Sequence, residues 1–393
     1  MMRTDRRTLS PLALSLLSCG LSLGCGGELV TEEAGLLTGA WHALQEAALT
    51  EDCSRYPYSA ATLLAERAGF GAAVTGGSPS RVYRVTSLAD SGPGTLRAGL
   101  ASTASQYIVF DVEGTIKLSS RMDVLSDKTV DGRGRNIVID GTLRLPAGTR
   151  NVILSDVTIQ NPAGFAKSEG DSIEVRGRGG SSPADFESRD LWFHHLGLGR
   201  GGDGQLDLRA ATQVTISYSH LYGHAKSMLH WKDTDGNPAP GMRVTLHHNH
   251  FEKITRRSPQ FSFGLADFYN NYLEHWYEFG AASNDGAQLL SEANIYEARP
   301  GTFCLPGCPD PNSPTHDSDF WVSKKALVSG WDNAKGYSRS VHDFLINDAK
   351  VEQHEPSRVF ARSTYYRARV DKADDTLRRA LKDDAGPRVR YCH

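Results

Sequence analysis

The sequence lacks the features of several common functional classes. The formal net charge is -3 at pH 7, and the basic excess or basic stripe that usually marks a nucleic-acid-binding protein is missing. No long helical heptad repeat is present, which argues against an extended helical protein. The 39 glycines and the aromatic fraction of 9% favour instead a β-rich protein with many turns. The 393 residues allow one large domain or two ordinary ones.

Long apolar runs are also scarce. The run Leu12–Leu23 follows three arginines and is too short for a confident membrane-spanning helix. This pattern is typical of an export signal over residues 1–27, either a signal peptide or a lipoprotein signal. Cys19 and Cys25 each resemble the acylated cysteine of a bacterial lipoprotein, so ordinary cleavage and a lipid anchor both stay open. The sequence therefore predicts a protein that is secreted or is an outer-surface lipoprotein of a bacterium.

Cysteine is rare outside this segment. Four cysteines remain, and they show neither the repeated CxxC nor the histidine spacing of a zinc site. An even number in an exported chain suggests disulfides, whose connectivity the sequence does not fix. We favour a pairing of Cys304 with Cys308 and of Cys53 with Cys392.

Short β-type segments recur along the chain without helices of useful length between them. This combination leaves a sandwich, a barrel, a propeller or a β-solenoid. The predicted strands are Val82–Thr86, Tyr107–Val112, Thr115–Leu118, Lys128–Val130, Asn136–Ile139, Val152–Leu154, Val157–Ile159, Leu191–His194, Val214–Ser217 and Arg243–Leu246.

A repeat favours the solenoid. Asn249, Asn271 and Asn294 follow similar apolar strands about 22 to 23 residues apart, and the pattern extends backward to Ser219 and His195. A repeat of this size corresponds to one coil, and stacked asparagines can satisfy backbone groups at a tight corner. Recurrent asparagine turns in an antiparallel protein are the alternative, and the repeated spacing makes it the less favoured one.

The predicted architecture is therefore all-β. We expect a right-handed parallel β-helix over residues 61–300, after a poorly specified leader over residues 28–60. A short helix at Thr95–Ala101 would cap its open end. Residues 301–393 lose the repeat and contain several prolines, which predicts an irregular C-terminal tail with a helix at Asp371–Lys382, packed on the outside of the coils.

Acidic residues cluster within this region. Glu169 and Asp171 alternate, so on a strand both would point to one face, and Asp203 and Asp207 come one rung later. Four carboxylates at one point would repel each other unless a divalent cation lay between them, and hard oxygen ligands suit calcium. The sequence thus predicts a calcium site, with solvated turn residues as the alternative.

Basic residues follow on the next rungs. Lys226 ends one rung, and Arg256 and Arg257 lie one coil further along. A cation site that faces two or three basic side chains suits a polyanionic sugar. Taken singly, these residues would more often be solvated surface.

Ordered motifs between about Ala65 and Glu297 resemble the pectate lyase superfamily, polysaccharide lyase family 1. They include AERAGFGAAVTGG, VTSLADSGPGTLRAGL, YIVFDVEGTIKL, VTISYSHLYGHAKSML and RRSP. The resemblance implies a parallel β-helix and a calcium-assisted β-elimination of polygalacturonate, with oligosaccharides that carry a 4,5-unsaturated end as products. It also implies an acidic plant cell-wall polysaccharide as partner. We expect a monomer and no nucleic-acid partner.

The resemblance further implies roles for individual residues. Glu169 and Asp171 match the family's first pair of calcium-binding acids. Asp203 and Asp207 match the second pair. Lys226 matches the substrate-binding lysine of the H-x-K-x-x-L motif.

The first arginine of the family's R-x-P-x-x-R motif removes the C5 proton, and Arg257 matches it. Arginine in water stays protonated to a pH above about 12, so it acts as a base only when neighbouring cations surround it. This predicts an activity that rises toward alkaline pH.

Two positions depart from the family pattern. Ser262 replaces the second arginine of the motif, which binds substrate carboxylate, and Arg256 is the residue that could compensate. His194 stands where the W-I-D-H motif has an aspartate. These changes leave open a catalytically impaired polysaccharide-binding protein, or a lyase with an altered pectic substrate. A β-helical glycoside hydrolase is less favoured, because the acids here are paired with Lys226 and Arg257 rather than flanking a bond as an acid and a base.

Overall fold

Short segments in which apolar residues alternate with polar ones bury every second side chain, as in Leu206–Arg209. The computed structural model describes residues 59–161, 170–177, 188–232, 241–300, 323–331 and 333–389. In these residues the short segments form 28 strands in three sheets.

Sheet 1 has ten strands. In order they are β1 (Val82–Val85), β2 (Gln106–Phe110), β5 (Lys128–Asp131), β8 (Arg150–Ser155), β11 (Ser188–His194), β14 (Ala211–Ser217), β17 (Arg243–His247), β20 (Leu265–Tyr269), β23 (Gln288–Glu292) and β26 (Tyr337–Val341).

Sheet 2 has nine strands. In order they are β4 (Met122–Asp123), β7 (Leu143–Leu145), β10 (Ile173–Arg176), β13 (Leu206–Arg209), β16 (Met228–Trp231), β19 (Gln260–Ser262), β22 (Ala281–Asn284), β25 (Lys325–Ser329) and β28 (Lys350–Val351).

Sheet 3 also has nine strands. In order they are β3 (Gly114–Lys117), β6 (Ile137–Asp140), β9 (Thr158–Gln160), β12 (Gly197–Leu198), β15 (His220–Tyr222), β18 (His250–Glu252), β21 (Tyr272–Glu274), β24 (Ile295–Glu297) and β27 (Phe344–Ile346).

Neighbouring strands in each sheet are parallel and come from successive coils. Each coil therefore contributes one strand to each sheet, and the apolar side chains of all three sheets meet in one continuous interior. The predicted parallel β-helix is confirmed. Because each coil lies directly on the next, groups at equivalent points of successive coils form columns along the axis.

The described residues contain three α-helices: α1 (Ala60–Ala65), α2 (Leu96–Ala101) and α3 (Asp375–Asp384). Short 3-10 turns lie at Pro356–Arg358 and Arg362–Thr364. None of the described helices is long and apolar enough to span a membrane. Thr95 is the N-cap of α2, and α2 packs Leu96 and Leu100 against the first coils. This helix is the predicted capping helix.

The asparagine column exists, but one predicted member is wrong. The Asn271 side-chain carbonyl accepts hydrogen bonds from the Asn249 N–H at 3.0 Å and from the Asn249 amide at 2.8 Å, and Asn294 serves Asn271 in the same way. Ser219 continues the column. The next member is Leu196, not His195, because the register pairs His194 with Ser217 and Gly197 with His220.

The coils continue beyond the predicted boundary at residue 300. Strands β25, β26, β27 and β28 extend all three sheets, so residues 325–351 are not part of an irregular tail. Asp343 continues the asparagine column, since its carboxylate accepts from the Asn294 N–H at 2.8 Å. The missed coil follows residues 301–322, a long interval that hides the period from sequence inspection.

The segment after the last coil packs on the outside of the β-helix, as predicted. Arg362 forms ion pairs with Asp267 at 2.6 Å and with Glu292 at 2.6 Å, and α3 places Leu377 and Leu381 in an apolar cluster with sheet 3. The export segment, nearly all of the leader and the four cysteines assigned to disulfides lie outside the described residues.

Candidate active site

The chemical groups lie where turns lead into consecutive strands of sheet 2. Asp171 precedes β10, Asp203 precedes β13, Lys226 precedes β16 and Arg257 precedes β19. Because these strands stack in register, the four turns lie side by side. The outward-facing Asp207 is the second residue of β13, so it lies next to the turn that carries Asp203.

One surface cleft brings most of the predicted groups together. It is lined by Asp171, Asp203, Asp207, Lys226 and Arg257. Trp231 of β16 also lines it. Glu169 lies outside the described residues.

Asp171 lies before the strand rather than on it, which corrects its predicted place on a strand. Gly170 has a φ of 121°, so the chain is not extended there, and its carbonyl accepts a hydrogen bond from the Asn161 side chain at 3.2 Å. Strand β10 begins only at Ile173. The turn nevertheless leaves Asp171 in the cleft.

The carboxylates in the cleft are crowded. Burial, together with the charges of Asp207, Asp203 and Glu174, raises the pKa of Asp171 to about 7. Burial also raises the pKa of Asp207 to about 6, although the Trp231 indole and Arg176 oppose the shift. Both carboxyls therefore hold a proton more tightly than a carboxyl in water does.

Glu174 is an acid that the sequence reasoning missed. It pairs in register with Asp207 on the neighbouring strand, is 1% exposed, and its Oε2 has no hydrogen bond of good geometry among the described residues. The pattern I-E-V beside L-D-L was the available signal, because both central residues must point to the same face of the sheet.

The donor set fits a divalent cation. Asp171, Asp203 and Asp207 offer hard carboxylate oxygens within one cleft. Burial is the first cause of the raised pKa values of Asp171 and Asp207, and a bound cation would favour their charged forms. Oxygen ligands of this kind suit calcium better than zinc.

Lys226 is placed between the acids and Arg257. Its Nζ donates to the Asp203 carboxylate at 2.7 Å, with Asp203 47% exposed. An exposed pair of this kind is weak, about 0 to 1 kcal/mol, so a substrate carboxylate can replace Asp203 as the partner at little cost.

The backbone conformation and a backbone hydrogen bond fix the position of Arg257. Its φ is 62°, a conformation that residues with side chains adopt rarely, and its carbonyl accepts a hydrogen bond from the Met228 N–H at 2.9 Å. The turn is thus fixed to the coil that carries Lys226. Rare backbone conformations are common at functional sites.

The other two predicted substrate-binding residues do not line the cleft. Arg256 pairs with Glu278 at 3.3 Å. Ser262 is 4% exposed at the end of β19, where it pairs in register with Asn284. Arg256 therefore does not take the place of the arginine missing at position 262 in this arrangement.

His194, which stands where the family motif has an aspartate, lies beside a carboxylate from elsewhere in the chain. His194 on β11 is fully buried, which lowers its pKa well below the usual value, and its Nε2 lies 2.7 Å from a Glu66 carboxylate oxygen. His195 lies close to the same pair. Arg388 already pairs with Glu66 at 3.0 Å, so the Glu66 carboxylate has a cation beside it in the described structure.

Comparison with known proteins shows the family of this chain. A family model described as pectate lyase matches residues 55–305. A pectate lyase from Nicotiana tabacum is 34% identical over 243 residues, which cover 58% of this chain and 61% of that protein. A probable pectate lyase of Arabidopsis thaliana is 32% identical over 301 residues, 72% of this chain and 60% of that protein. The chain thus spans about three-fifths of the length of these relatives.

Solved structures show the same fold. The major allergen of cedar pollen aligns with a TM-score of 0.65 at 23% identity, covering 85% of this chain and 98% of that one. A pectate lyase from Bacillus sp. N165, solved with trigalacturonate, aligns with a TM-score of 0.59 at 19% identity, covering 82% and 99%.

The sequence relatives also correct one expectation. They are plant proteins, which contradicts the prediction of a bacterial surface protein. With the family model matching residues 55–305 on a parallel β-helix, the chain belongs to the pectate lyase family.

Proposed function

We propose that this protein is a calcium-dependent pectate lyase that cleaves α-1,4-linked polygalacturonate by β-elimination. The observation that carries the proposal is the single cleft that Asp171, Asp203, Asp207, Lys226 and Arg257 line. A substrate that is a chain of carboxylates matches a site built from cation ligands and fixed cations. The trigalacturonate bound by the Bacillus relative supports the same substrate class.

Each residue has a distinct role in the proposed reaction. Asp171, Asp203 and Asp207 would hold the calcium ion, and Glu169 stays a predicted further ligand. A calcium ion held there would supply positive charge that makes the C5 proton of a uronate more acidic. Lys226 binds a substrate carboxylate through its ammonium group.

Arg257 removes the C5 proton. The electron pair left on C5 forms the C4–C5 double bond, the C4–O bond of the glycosidic link breaks, and the leaving oxygen takes a proton from water. The products are a shortened chain and an oligogalacturonide with a 4,5-unsaturated end. Because the base must lose its own proton, activity is expected to rise toward alkaline pH.

The alternative is a protein that binds a pectic polysaccharide without efficient cleavage, or that cleaves an altered pectic substrate. It rests on Ser262, which replaces a cationic group and is almost fully buried. Methyl-esterified pectin would need fewer cationic contacts than polygalacturonate and is the substrate to compare.

The ultraviolet absorbance of the unsaturated product tests the function. With polygalacturonate at alkaline pH, we expect an absorbance increase with calcium that stops with excess chelator. Arg257→Ala should lower kcat by a factor of about 10² to 10⁴. Arg256→Ala is the matched control, since it removes the adjacent arginine, which is paired with Glu278, and should retain most of kcat.

A flat absorbance trace on both polygalacturonate and methylated pectin would contradict the lyase and leave a binding protein. An Arg257→Ala protein with unchanged kcat would remove Arg257 as the base while leaving the lyase activity intact.

We also propose that the protein is exported, supported by the arginines and the apolar run of residues 1–27. Amino-terminal sequencing of secreted protein should begin after this segment, and a mature protein that retains Met1 would contradict export by cleavage.

A further inference from the structure

Arg176 lies within the acidic cluster and was not among the predicted site residues. It is on β10, two positions after Glu174. One guanidinium nitrogen is 3.1 Å from the Glu174 Oε2, and the other is 3.5 Å from the Asp207 Oδ2. The guanidinium therefore lies between two carboxylates of neighbouring coils.

The second oxygen of Asp207 is also engaged. The Trp231 indole N–H donates a hydrogen bond to the Asp207 Oδ1. Both oxygens of this carboxylate thus face donors from the protein's own side chains. A divalent cation that uses Asp207 as a ligand therefore meets a guanidinium that already faces the same carboxylate.

Glu174 explains why Arg176 stays in this place. The Glu174 side chain is 2% exposed, and a buried carboxylate requires a cation close by. Arg121 is also near, at 3.8 Å, but Arg176 is closer. Arg176 therefore has a fixed partner in Glu174 and a second partner in Asp207 that it can release.

We propose that Arg176 is an internal counter-cation that competes with calcium for Asp207 and thereby lowers the calcium affinity of the cleft. The inference rests on the proposed function, because it takes Asp207 as a calcium ligand. When calcium binds, the guanidinium leaves Asp207 and keeps its contact with Glu174. Like charges repel at the short distances involved, so the guanidinium and a calcium ion at Asp207 weaken each other's binding.

Arg144 provides the matched control. It lies on β7, on the other side of Glu174 in the register, and it forms a bidentate pair with Asp123 at 2.7 and 2.9 Å. Replacing Arg144 removes the same charge from the neighbouring strand without removing a partner of Asp207.

Isothermal titration with calcium chloride alone, in the absence of sugar, tests the proposal. Arg176→Gln should bind calcium about tenfold more tightly than the unchanged protein, whereas Arg144→Gln should change the affinity less than about threefold. Arg176→Lys keeps the charge but cannot bridge two carboxylates as a fork. Its calcium affinity should therefore lie between that of the unchanged protein and that of Arg176→Gln. Trp231 fluorescence gives a second readout, because its indole contacts Asp207.

A thermal melt in chelator tests whether Arg176 stabilises the fold by neutralising Glu174 and Asp207. Arg176→Gln should melt at a lower temperature than the unchanged protein, since Glu174 and Asp207 lose their shared partner, and calcium should restore most of the difference. A variant that is equally stable in chelator would show that Arg176 does not neutralise the acids.

The proposal is overturned if Arg176→Gln binds calcium no more tightly, or if Arg144→Gln gains as much. It is also overturned if none of the proteins binds calcium. The product-absorbance assay on the same preparations, with and without chelator, then shows separately whether the lyase function stands.

Discussion

Asp171 shows how burial and charge act on one side chain. It is 9% exposed, and the loss of water, reinforced by Asp207, Asp203 and Glu174, raises its pKa to about 7. A hydrogen bond from the Gly204 N–H lowers the pKa without offsetting these effects. Near neutral pH this carboxyl therefore needs either a proton or a cation.

This shift predicts how stability depends on pH in the presence of a chelator. The folded state holds the Asp171 proton more tightly than the unfolded chain, where the pKa is about 3.9. The free energy of unfolding should therefore fall as the pH rises from about 4 to about 7. Asp171→Asn should reduce this fall by on the order of 2 to 4 kcal/mol.

Urea unfolding at several pH values in that range, in chelator, measures the effect. The exposed Asp383 supplies the control, because Asp383→Asn should leave the pH dependence as it is. An Asp171→Asn protein that loses stability as steeply as the unchanged protein would show that Asp171 is not the titrating group.

Individual residues were predicted unequally well. Asp203, Asp207, Lys226 and Arg257 could be placed on one edge because each follows a recognisable strand and turn. Glu174 was missed although its I-E-V pattern was visible, because the importance of that pattern depends on the register with Asp207 across the coils. That register is a tertiary property, which local sequence patterns do not contain.

At the scale of the element, the asparagine column holds the coils in register. The Asn271 carbonyl accepts from Asn249, and its amide donates to the backbone carbonyls of Leu246 and Tyr269, each at 3.0 Å. One side chain thus satisfies buried groups on its own coil and on the preceding one. Such groups cannot turn to water when the partner is removed.

Asn271→Ala should therefore be strongly destabilising. It leaves several buried polar groups without a partner, at about 1 to 3 kcal/mol for each, and we expect a loss of on the order of 3 kcal/mol in total. Asn136, which is exposed, offers the control, because Asn136→Ala should stay within about 0.5 kcal/mol of the unchanged protein. Denaturant unfolding measures both, and similar values for the two variants would contradict a structural role of the column.

Element prediction succeeded where the repeat was regular. The period located most of the strands and the column from Ser219 to Asn294. The prediction failed at His195, because the register places Leu196 level with Ser219 in the column, one residue later than the sequence pattern suggested. It failed again beyond residue 300, because the interval of residues 301–322 separates the last coil from the others and no local pattern bridges it.

At the scale of the whole molecule, both ends of the described chain are fastened to the outside of the coils. Arg388 pairs with Asp156 at 2.7 Å and with Glu66 at 3.0 Å, and Glu66 directly follows α1 and contacts His194. This network lies on sheet 1, whereas the cleft lies on sheet 2. Within the described residues, the chain ends are thus held on a face other than the one that carries the cleft.

The central claim is that one cleft holds both the cation and the reacting sugar. The most direct test is a crystal structure of the Arg257→Lys protein with calcium and trigalacturonate. We predict a calcium ion bound by Asp171, Asp203 and Asp207, a uronate carboxylate near Lys226, and the sugar C5 facing residue 257. A cation at Glu66 and His194, or a sugar on another face of the coils, would contradict the account.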